Sequence, residues 1–282
     1  MTFTLYSGCK VNLFLEIKER LENGYHLLAS LFYPLPYPRD TLYIEEQEPL
    51  EFQLESNKKE LEQNNILEKI FNWFKEQGLL ERGYKVFLEK QVPVGAGLGG
   101  GSANGAVFLN FLNSRISRKF SFQELREKIA PLFGADLPFF LWNQAAWVEG
   151  IGEKIYPLNF QLRDLRGILI CPECFVSTAW AYKTFDKFQN NGKSCLTLLP
   201  YPNKKSVSQG RLVLFNSFEP VVFSTYPELR NLKEEMLAVG ASGGIMSGSG
   251  SAMFFLFREK QKWEKALSRL EQKNILHYSY IF

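Results

Sequence analysis

The feature that most constrains this chain is the stretch from Pro93 to Ala106, which reads PVGAGLGGGSANGA. Five of the seven residues from Gly95 to Gly101 are glycine. Glycine loses more backbone entropy on folding than any other residue, so a run of this density is a costly plain connection. It offers a backbone that can approach a ligand closely, with N–H groups turned into a concave nest.

The residues after the glycine run predict an amphipathic helix. Ala103, Ala106, Val107 and Phe111 fall on one face of a 3.6-residue repeat. Ser102 is the predicted N-cap, because its hydroxyl can accept from the first free N–H groups of the helix. A glycine nest that leads into a helix N-terminus is a favourable site for an anionic phosphate.

The common phosphate loops fit this stretch poorly. Gly95-x-Gly97-x-x-Gly100 matches the dinucleotide pattern, but about 20 residues on, where a ribose-binding carboxylate is expected, residues 121–126 predict a helix start. A Walker A loop would place a lysine before its serine or threonine, whereas Ser102 follows the glycines directly. The H-R-D and D-F-G motifs of protein kinases are absent from the sequence. A glycine-rich turn without a ligand remains the structural alternative.

The string Pro-x-Gly-x-Gly-Leu-Gly-Gly-Gly-Ser at 93–102 resembles the second motif of the GHMP kinases, which wraps the nucleotide triphosphate. The first motif is matched by Lys10-Val11-Asn12-Leu13, with Gly8-Cys9 in place of the usual Pro-Ala. The third is matched by residues 246–251, Met-Ser-Gly-Ser-Gly-Ser. The chain therefore resembles this family in three motifs that occur in the family's order.

Two shorter signatures, Gly24-Tyr25-His26 and Gly134-Ala135-Asp136-Leu137-Pro138, are most similar to the 4-diphosphocytidyl-2-C-methyl-D-erythritol kinases of that family. The resemblance implies an α+β, two-domain GHMP kinase fold. A ribosomal-protein-like N-terminal domain (1–153) would bind nucleotide and carry catalysis, and a ferredoxin-like α+β C-terminal domain (154–282) would bind substrate. It also implies ATP and Mg²⁺, and phosphorylation of the 2-hydroxyl of 4-diphosphocytidyl-2-C-methyl-D-erythritol in the non-mevalonate (MEP) isoprenoid pathway.

The resemblance assigns roles to individual residues. Lys10 and Asp136 are the expected catalytic pair, with Asp136 accepting the proton of the acceptor hydroxyl or orienting it. From its surroundings alone, Asp136 is either a turn cap or a working group, since aspartate is seldom fully buried without a partner. The expected ATP contacts are Pro93, Val94, Gly95, Ala96, Gly97, Leu98, Gly99, Gly100, Gly101, Ser102, Asn65 and Lys90. The expected substrate contacts are Asn12, Tyr25, His26, Tyr182, Ser247 and Gly248, and no protein ligand of Mg²⁺ is assigned.

Several of these assignments have structural alternatives. Asn65 fits a plain helix N-cap as well as a contact to adenine. The resemblance implies that Tyr25 stacks on the cytosine of the substrate, an interaction worth about 1–3 kcal/mol per base. Tyr182 is our choice for the other face of the base, with Phe185 and Trp180 as rivals, and core packing accounts for any of them equally well.

Local patterning predicts strands at residues 3–6 and 11–17 with a break at 7–10. It predicts a helix from Ser121, with Glu124 completing a capping box, and another over residues 227–237. Cys171 and Cys174 end an apolar run, and we interpret them as strand-end packing; a zinc or redox site is the alternative, but Cys9 and Cys195 are widely spaced from the pair.

The composition limits which kinds of partner the protein is expected to bind. The 282 residues carry a net charge of +3, too mild to predict nucleic-acid binding. No apolar run approaches the length of a membrane span, and the first residues do not resemble a signal peptide, so we expect a cytoplasmic protein with no membrane partner. We expect a monomer or a homodimer. The alternatives for function are a homoserine- or mevalonate-type GHMP kinase, an RNA-binding module on the same fold, and an inactive nucleotide-binding regulator.

Overall fold

The computed structural model describes residues 1–190, 203–208 and 212–282. Contacts within the chain divide it into two compact units, each built from separate stretches. Unit 1 comprises Met1–Lys10, Pro34–Pro93 and Gly99–Gln144. Unit 2 comprises Val11–Tyr33, Val94–Leu98 and Ala145–Phe282. The expected division between residues 153 and 154 stays a prediction.

The described residues form strands joined by helices of 16 residues or fewer. The strands are β1 (Thr2–Arg20), β2 (His26–Gln47), β3 (Phe52–Ser56), β4 (Gly83–Glu89), β5 (Ala146–Gly150), β6 (Lys154–Pro157), β7 (Arg166–Ile170), β8 (Phe215–Asn216), β9 (Gly243–Met246), β10 (Met253–Phe257) and β11 (His277–Ile281). The helices are α1 (Ile66–Glu76), α2 (Gly100–Arg115), α3 (Phe122–Glu124), α4 (Leu137–Trp142), α5 (Thr178–Asn190), α6 (Lys204–Ser208), α7 (Glu219–Thr225), α8 (Pro227–Val239) and α9 (Lys260–Gln272). Helix α3 continues as a π-helical turn (Leu125–Ile129) and a 3-10 turn (Ala130–Leu132), and a further 3-10 turn spans Lys59–Leu61.

Unit 1 packs helices on strands around an aromatic core. The end of β2 pairs antiparallel with β4, where Thr41 lies opposite Glu89, and β3 pairs parallel with β4. Helices α1 and α2 bury their apolar faces here: the Phe52 ring lies 5.3 Å from Phe71 of α1 and 5.7 Å from Phe108 of α2. This packing fixes the first turn of α2, which begins in the glycine run.

Unit 2 contains a four-stranded antiparallel sheet in the order β11-β7-β10-β9. The central strand β10 is buried along its whole length, as expected for a strand covered on both faces. Unit 2 also contains the start of β2 paired with β5, and β8 paired in parallel with β1 at Phe14 and Leu15. The mixture of sheets and helices confirms the predicted α+β class.

The structure corrects two local predictions. Strand β1 runs unbroken from Thr2 to Arg20, so the predicted break at residues 7–10 is wrong. Gly8 does not end the strand: a Cβ there would lie 2.4 Å from the carbonyl oxygen of Leu35, so the residue marks a close backbone approach. The predicted cap at Ser102 is also wrong, because α2 begins at Gly100 and its N-cap is Gly99 in the left-handed conformation.

Other local predictions are confirmed. Asn65 caps α1, with its side chain accepting from the N–H of Leu67 at 3.0 Å. Ser121 and Glu124 form the predicted capping box. Helix α8 begins at Pro227 as expected. Among the described residues, no helix combines the length and the apolar character needed to cross a bilayer.

Candidate active site

Unit 1 places Lys10 and Asp136 within electrostatic range of each other. Lys10 lies in β1 and is 4% exposed. Burial lowers the pKa of its ammonium, and the charge of Asp136 is the main influence that opposes this shift. Asp136 occupies the N-cap position of α4, but its side chain makes no capping hydrogen bond. The turn-cap interpretation of Asp136 therefore does not describe how its carboxylate is used.

The glycine at the start of α2 lies directly against Lys10. Gly99 has a φ of +70°, and a Cβ on it would come within 3.3 Å of Cγ of Lys10 and 2.9 Å of the ring of Phe140. Any larger residue would displace the lysine stem or the ring. The lysine stem therefore passes beside the N-terminus of α2, where the first backbone N–H groups have no partner within the helix.

Gly101 is the glycine that faces open space. A Cβ built on it would meet no atom within 4 Å, whereas one on Gly100 would lie 2.9 Å from Nζ of Lys90. Ser102 follows in the same first turn and is half-buried. This turn of a 16-residue helix has the donors and the positive dipole end that bind phosphate.

Lys90 packs against this turn at Gly100. Its buried ammonium lies 2.6 Å from Oδ2 of Asp40 and donates to the carbonyl of Val92 at 2.6 Å. Oδ1 of Asp40 accepts from the backbone N–H groups of Gln91 and Val92, each at 2.8 Å. The carboxylate thus fixes residues 90–92, immediately before the glycine run. Burial lowers the pKa of Lys90, and Asp40 opposes that shift. Lys90 thus holds the residues before the loop, and its expected contact with the nucleotide stays a prediction.

In unit 2, the earlier half of the glycine run packs on the third-motif loop. A Cβ on Gly97 would lie 2.1 Å from the carbonyl oxygen of Ser247, so only glycine allows this approach. The Ser247 hydroxyl donates to the carbonyl of Gly97 at 2.9 Å, and the N–H of Ala252 donates to the carbonyl of Ala96 at 3.2 Å. Part of the glycine density is therefore explained by contact between two loops.

Asn12 and Asn216 hold the third-motif loop from the strands. The Ser247 hydroxyl accepts from the backbone N–H of Asn12 at 3.2 Å, and the Asn12 amide donates to Ser30 at 2.9 Å. Nδ2 of Asn216 donates to the carbonyls of Met246 at 2.6 Å and Gly248 at 2.8 Å. Asn12 and Ser247, both predicted to bind substrate, are thus brought together as buried neighbours.

The residues of the remaining ATP-contact predictions differ in burial. Val94 is 50% exposed, whereas Ala96 and Leu98 are buried, so the side chains of the last two serve packing. Both polar atoms of the Asn65 amide are engaged, since Nδ2 donates to the carbonyl of Leu61 at 2.8 Å while Oδ1 caps α1. The expected contact of Asn65 with adenine stays a prediction.

The predicted base-binding residues lie in unit 2. Tyr25 is 60% exposed, and His26 is 7% exposed. The ring of Tyr182 stacks on the imidazole of His26, with centroids 4.8 Å apart and an interplanar angle of 25°. Of the rival aromatics, Phe185 is buried (1% exposed) and Trp180 packs edge-on against Tyr226. The choice of Tyr182 to stack on the base stays a prediction.

Three supporting residues escaped the sequence analysis: Asp40, Asn216 and Asp186. Asp186 lies one turn after Tyr182 on α5, and its Oδ1 is 2.6 Å from Nε2 of His26. None of the three belongs to a motif quoted above. A usable signal was the general expectation that a buried lysine such as Lys90 needs an acidic partner, but the sequence does not say which one.

The donor atoms present suit a magnesium ion that is bound mainly through a nucleotide. The described residues contain no group of three or more His, Cys, Asp and Glu side chains placed to hold a metal ion. Mg²⁺ often binds through one or two carboxylates together with substrate phosphates and waters, and does not need a full protein cage. Asp136 is a carboxylate close to Lys10, so the fit rests on that residue.

The cysteine pair has the environment of packing residues. Cys171 follows β7 directly and is buried, and burial raises the pKa of its thiol to about 12. Cys174 is half-buried, and burial also raises its pKa, followed by the nearby charge of Glu228. Cys195 lies outside the described residues.

Comparison with known proteins identifies the family. The family model of the GHMP kinases N terminal domain matches residues 65–144, and that of the GHMP kinases C terminal matches residues 204–276. A 4-diphosphocytidyl-2-C-methyl-D-erythritol kinase of Nitratidesulfovibrio vulgaris (strain DP4) is 38% identical over 99% of this chain and 98% of its own. A protein of the same name from Thermodesulfovibrio yellowstonii is 30% identical over 95% of this chain and 94% of its own.

Solved structures give the same result. A crystal structure of 4-(cytidine 5'-diphospho)-2C-methyl-D-erythritol kinase superposes with a TM-score of 0.76 at 28% identity, covering 98% of both chains. A homoserine kinase from Cytophaga hutchinsonii, at 17% identity, covering 99% of this chain and 93% of its own, with a TM-score of 0.67, shares the fold. The chain belongs to the GHMP kinase family, as a member of its 4-diphosphocytidyl-2-C-methyl-D-erythritol kinases.

Proposed function

We propose that this protein transfers the γ-phosphoryl group of ATP to the 2-hydroxyl of 4-diphosphocytidyl-2-C-methyl-D-erythritol, a step of non-mevalonate isoprenoid synthesis. The observation that carries the proposal is the position of Lys10, which lies against Gly99 at the N-terminus of α2 and within electrostatic range of Asp136. One cation thus serves both the phosphate-binding turn and the acidic residue. The full-length relatives that bear the enzyme's name support the same substrate.

In this proposal the phosphates of ATP bind at the first turn of α2. Backbone N–H groups of this turn donate to the phosphate oxygens, and the helix dipole favours their negative charge. The open space at Gly101 leaves room for the phosphates, and the hydroxyl of Ser102 supplies a further donor. Within unit 2, Gly97 packs against the loop of Ser247 and Gly248.

Asp136 would act on the acceptor alcohol. Its carboxylate accepts the proton of the 2-hydroxyl while the oxygen attacks the γ-phosphorus, the bond to the β,γ-bridging oxygen breaks, and ADP leaves. The Lys10 ammonium stabilises the negative charge that develops on the acceptor oxygen. Asp136 is the carboxylate that would hold Mg²⁺, which would supply positive charge to offset that of the phosphates.

Unit 2 would recognise the cytidine end of the substrate. The exposed Tyr25 and the half-buried Tyr182 offer aromatic faces for stacking on the base. His26 offers a ring nitrogen for hydrogen bonding. Asn12 in β1 is proposed to contact the substrate together with Ser247 and Gly248 of the third-motif loop. We further propose cytoplasmic action as a monomer or homodimer.

The test measures product formation with the purified full chain, ATP, Mg²⁺ and the cytidyl substrate. We expect release of ADP together with a substrate product heavier by one phosphoryl group, detected by mass spectrometry. Homoserine and mevalonate serve as competing acceptors, and turnover of either in preference to the cytidyl substrate would overturn the substrate assignment. Absence of ADP release with all three would overturn the proposed activity.

A further inference from the structure

Asp186 joins His26 and Tyr182 into one side-chain cluster in unit 2. It follows Tyr182 by four residues on α5, so the two side chains lie on the same face of the helix. Its Oδ1 is 2.6 Å from Nε2 of His26, and its Oδ2 is 3.6 Å from Nε of Arg20. The carboxylate therefore lies between a guanidinium and an imidazole.

We propose that Asp186 is a specificity-determining positioning residue: it holds the His26 proton on Nε2, so that Nδ1 presents a lone pair to the 4-amino group of a cytosine. The inference rests on the proposed function, since the base is that of the proposed substrate. It adds a residue that chooses between cytosine and uracil without touching either base.

The tautomer follows from the chemistry of the pair. An ionised carboxylate has acceptor oxygens and no proton to donate, so a ring nitrogen 2.6 Å from Asp186 has to carry the hydrogen. Which nitrogen of a neutral histidine is protonated is set by the hydrogen bond that the other one makes. With Nε2–H bound to Asp186, Nδ1 of the neutral ring is an acceptor.

Nδ1 of His26 is available to a ligand. Within the described part of the chain, Nε2 is the His26 ring atom with a hydrogen-bond partner. Nδ1 of His26 is not among the fully buried side-chain atoms that lack a partner in the described part of the chain. The ring itself is held between the carboxylate and the stacked face of Tyr182. A fixed ring with one accessible nitrogen is suited to reading a single group on a ligand.

Cytosine and uracil differ at the position that such a nitrogen would read. Cytosine carries an amino group at carbon 4, which donates, whereas uracil carries a carbonyl oxygen there, which accepts. A lone pair on Nδ1 accepts from the amino group of cytosine, whereas it is repelled by the lone pairs of the carbonyl oxygen of uracil. A matched contact of this kind discriminates by about 10- to 100-fold.

The first experiment reads the tautomer directly by long-range ¹H–¹⁵N NMR of the full-length protein, at a pH where both histidines are neutral. The chain has two histidines, so both can be assigned. His277 is an internal control of the opposite kind, because its Nδ1 lies 2.8 Å from the carbonyl of Ile275 and so carries the hydrogen. We expect the Nε2–H tautomer for His26 and the Nδ1–H tautomer for His277. A wild-type His26 with its proton on Nδ1 would overturn the proposal.

The second experiment measures binding of CDP and UDP by calorimetry, without turnover. We expect wild type to prefer CDP by about 10- to 100-fold. Asp186→Asn keeps the volume but can either donate or accept, so it releases the tautomer, and the preference should fall to within about 3-fold with most of the loss on CDP. Glu264→Gln, which removes an exposed carboxylate paired with Lys260 on α9, is the matched control and should keep the full preference.

The two proposals fail in different ways. If the protein prefers CDP and shows the Nε2–H tautomer but transfers no phosphate, the proposed activity is wrong and the role of Asp186 stands. If it phosphorylates the cytidyl substrate but Asp186→Asn retains the CDP preference, the role of Asp186 is wrong. Where Asp186→Asn fails to fold, as judged by circular dichroism, the wild-type NMR result decides.

Discussion

The ammonium of Lys90 lies 2.6 Å from a carboxylate oxygen of Asp40, beneath the first residue of α2. Asp40 is fully buried and Lys90 is 8% exposed, so the pair is withdrawn from water. The same carboxylate fixes the backbone of residues 91 and 92. A buried ion pair thus sets where the glycine run begins.

Removing one member of this pair should destabilise the fold strongly. Asp40→Asn leaves the Lys90 ammonium buried without its counter-charge, and we expect a loss of about 3–5 kcal/mol in the free energy of unfolding. Denaturant unfolding followed by circular dichroism measures it. Lys85→Gln, which breaks the exposed Lys85–Glu55 pair, is the control and should change stability little. Equal stability of the two variants would show that the buried pair does not anchor the loop.

Asp136→Asn should reduce kcat by about 10²- to 10⁴-fold, the usual effect of losing a catalytic base. Thermal melts are measured alongside, because Asp136 is also the main counter-charge of the buried Lys10, and kcat is compared under conditions where both proteins are folded. Asp164→Asn makes the same chemical change at an exposed residue with a φ of +58°, which asparagine tolerates, and should leave kcat unchanged. A fully active Asp136→Asn variant would remove this residue from the mechanism.

The pH dependence of kcat should report Lys10. Burial favours the neutral amine, so Lys10 loses its proton at a lower pH than a solvent-exposed lysine, whose pKa is about 10.4. Activity that needs the ammonium should therefore fall on the alkaline side with an apparent pKa below that value. Circular dichroism over the same pH range separates this effect from unfolding. A constant kcat across that range, with the fold intact, would contradict the role of the ammonium.

Two glycines of the same run should respond in opposite ways to alanine. Gly97→Ala places a Cβ 2.1 Å from the carbonyl oxygen of Ser247 at a φ of +75°, so we expect a loss of more than about 1 kcal/mol of stability. Gly101→Ala meets no atom within 4 Å and should fold normally while raising KM for ATP. Thermal melts and steady-state kinetics measure the two effects. A wild-type KM in Gly101→Ala would show that the open space is not used by ATP.

The thiol of Cys171 should resist alkylation in the folded protein. Because its pKa is raised to about 12, almost none of it is thiolate at about pH 8. Peptide mapping after treatment with iodoacetamide should find Cys171 unlabelled in native protein and labelled in denaturant. Rapid native labelling, or a disulfide between Cys171 and Cys174, would favour the redox alternative over strand-end packing.

The sequence predicted the family from local motifs, the fold class through the resemblance to that family, and two of the helix caps from local patterns. Asn65 precedes an apolar periodic run, and Ser121 lies three residues before Glu124. The signal for each of these caps therefore lies within a short stretch of sequence. The N-cap predicted at Ser102 was wrong because Gly99 adopts the left-handed conformation, so the helix starts earlier. The break predicted at residues 7–10 was wrong because the backbone approaches closely at Gly8, and such an approach requires glycine as much as a turn does.

The supporting residues of the site could not be predicted from the sequence because their partners are distant along the chain. Asp40 meets Lys90 across 50 positions, and His26 meets Asp186 across 160. Motif spacing carries no information on such pairs. A cavity of about 780 Å³ in unit 2 is lined by Leu162, Arg163, Lys233, Leu237, Gly243 and Arg258, among others, and includes none of the predicted site residues.

The hydrogen bond from Ser247 to the carbonyl of Gly97 ties two segments that lie 150 positions apart. Whatever immobilises one of these segments restricts the other, since a Cβ-free approach leaves neither of them room to move alone. The entropy lost when a first ligand settles on either segment need not be lost again for the second. Nucleotide and alcohol would then bind with positive cooperativity, without any change in the shape of the protein.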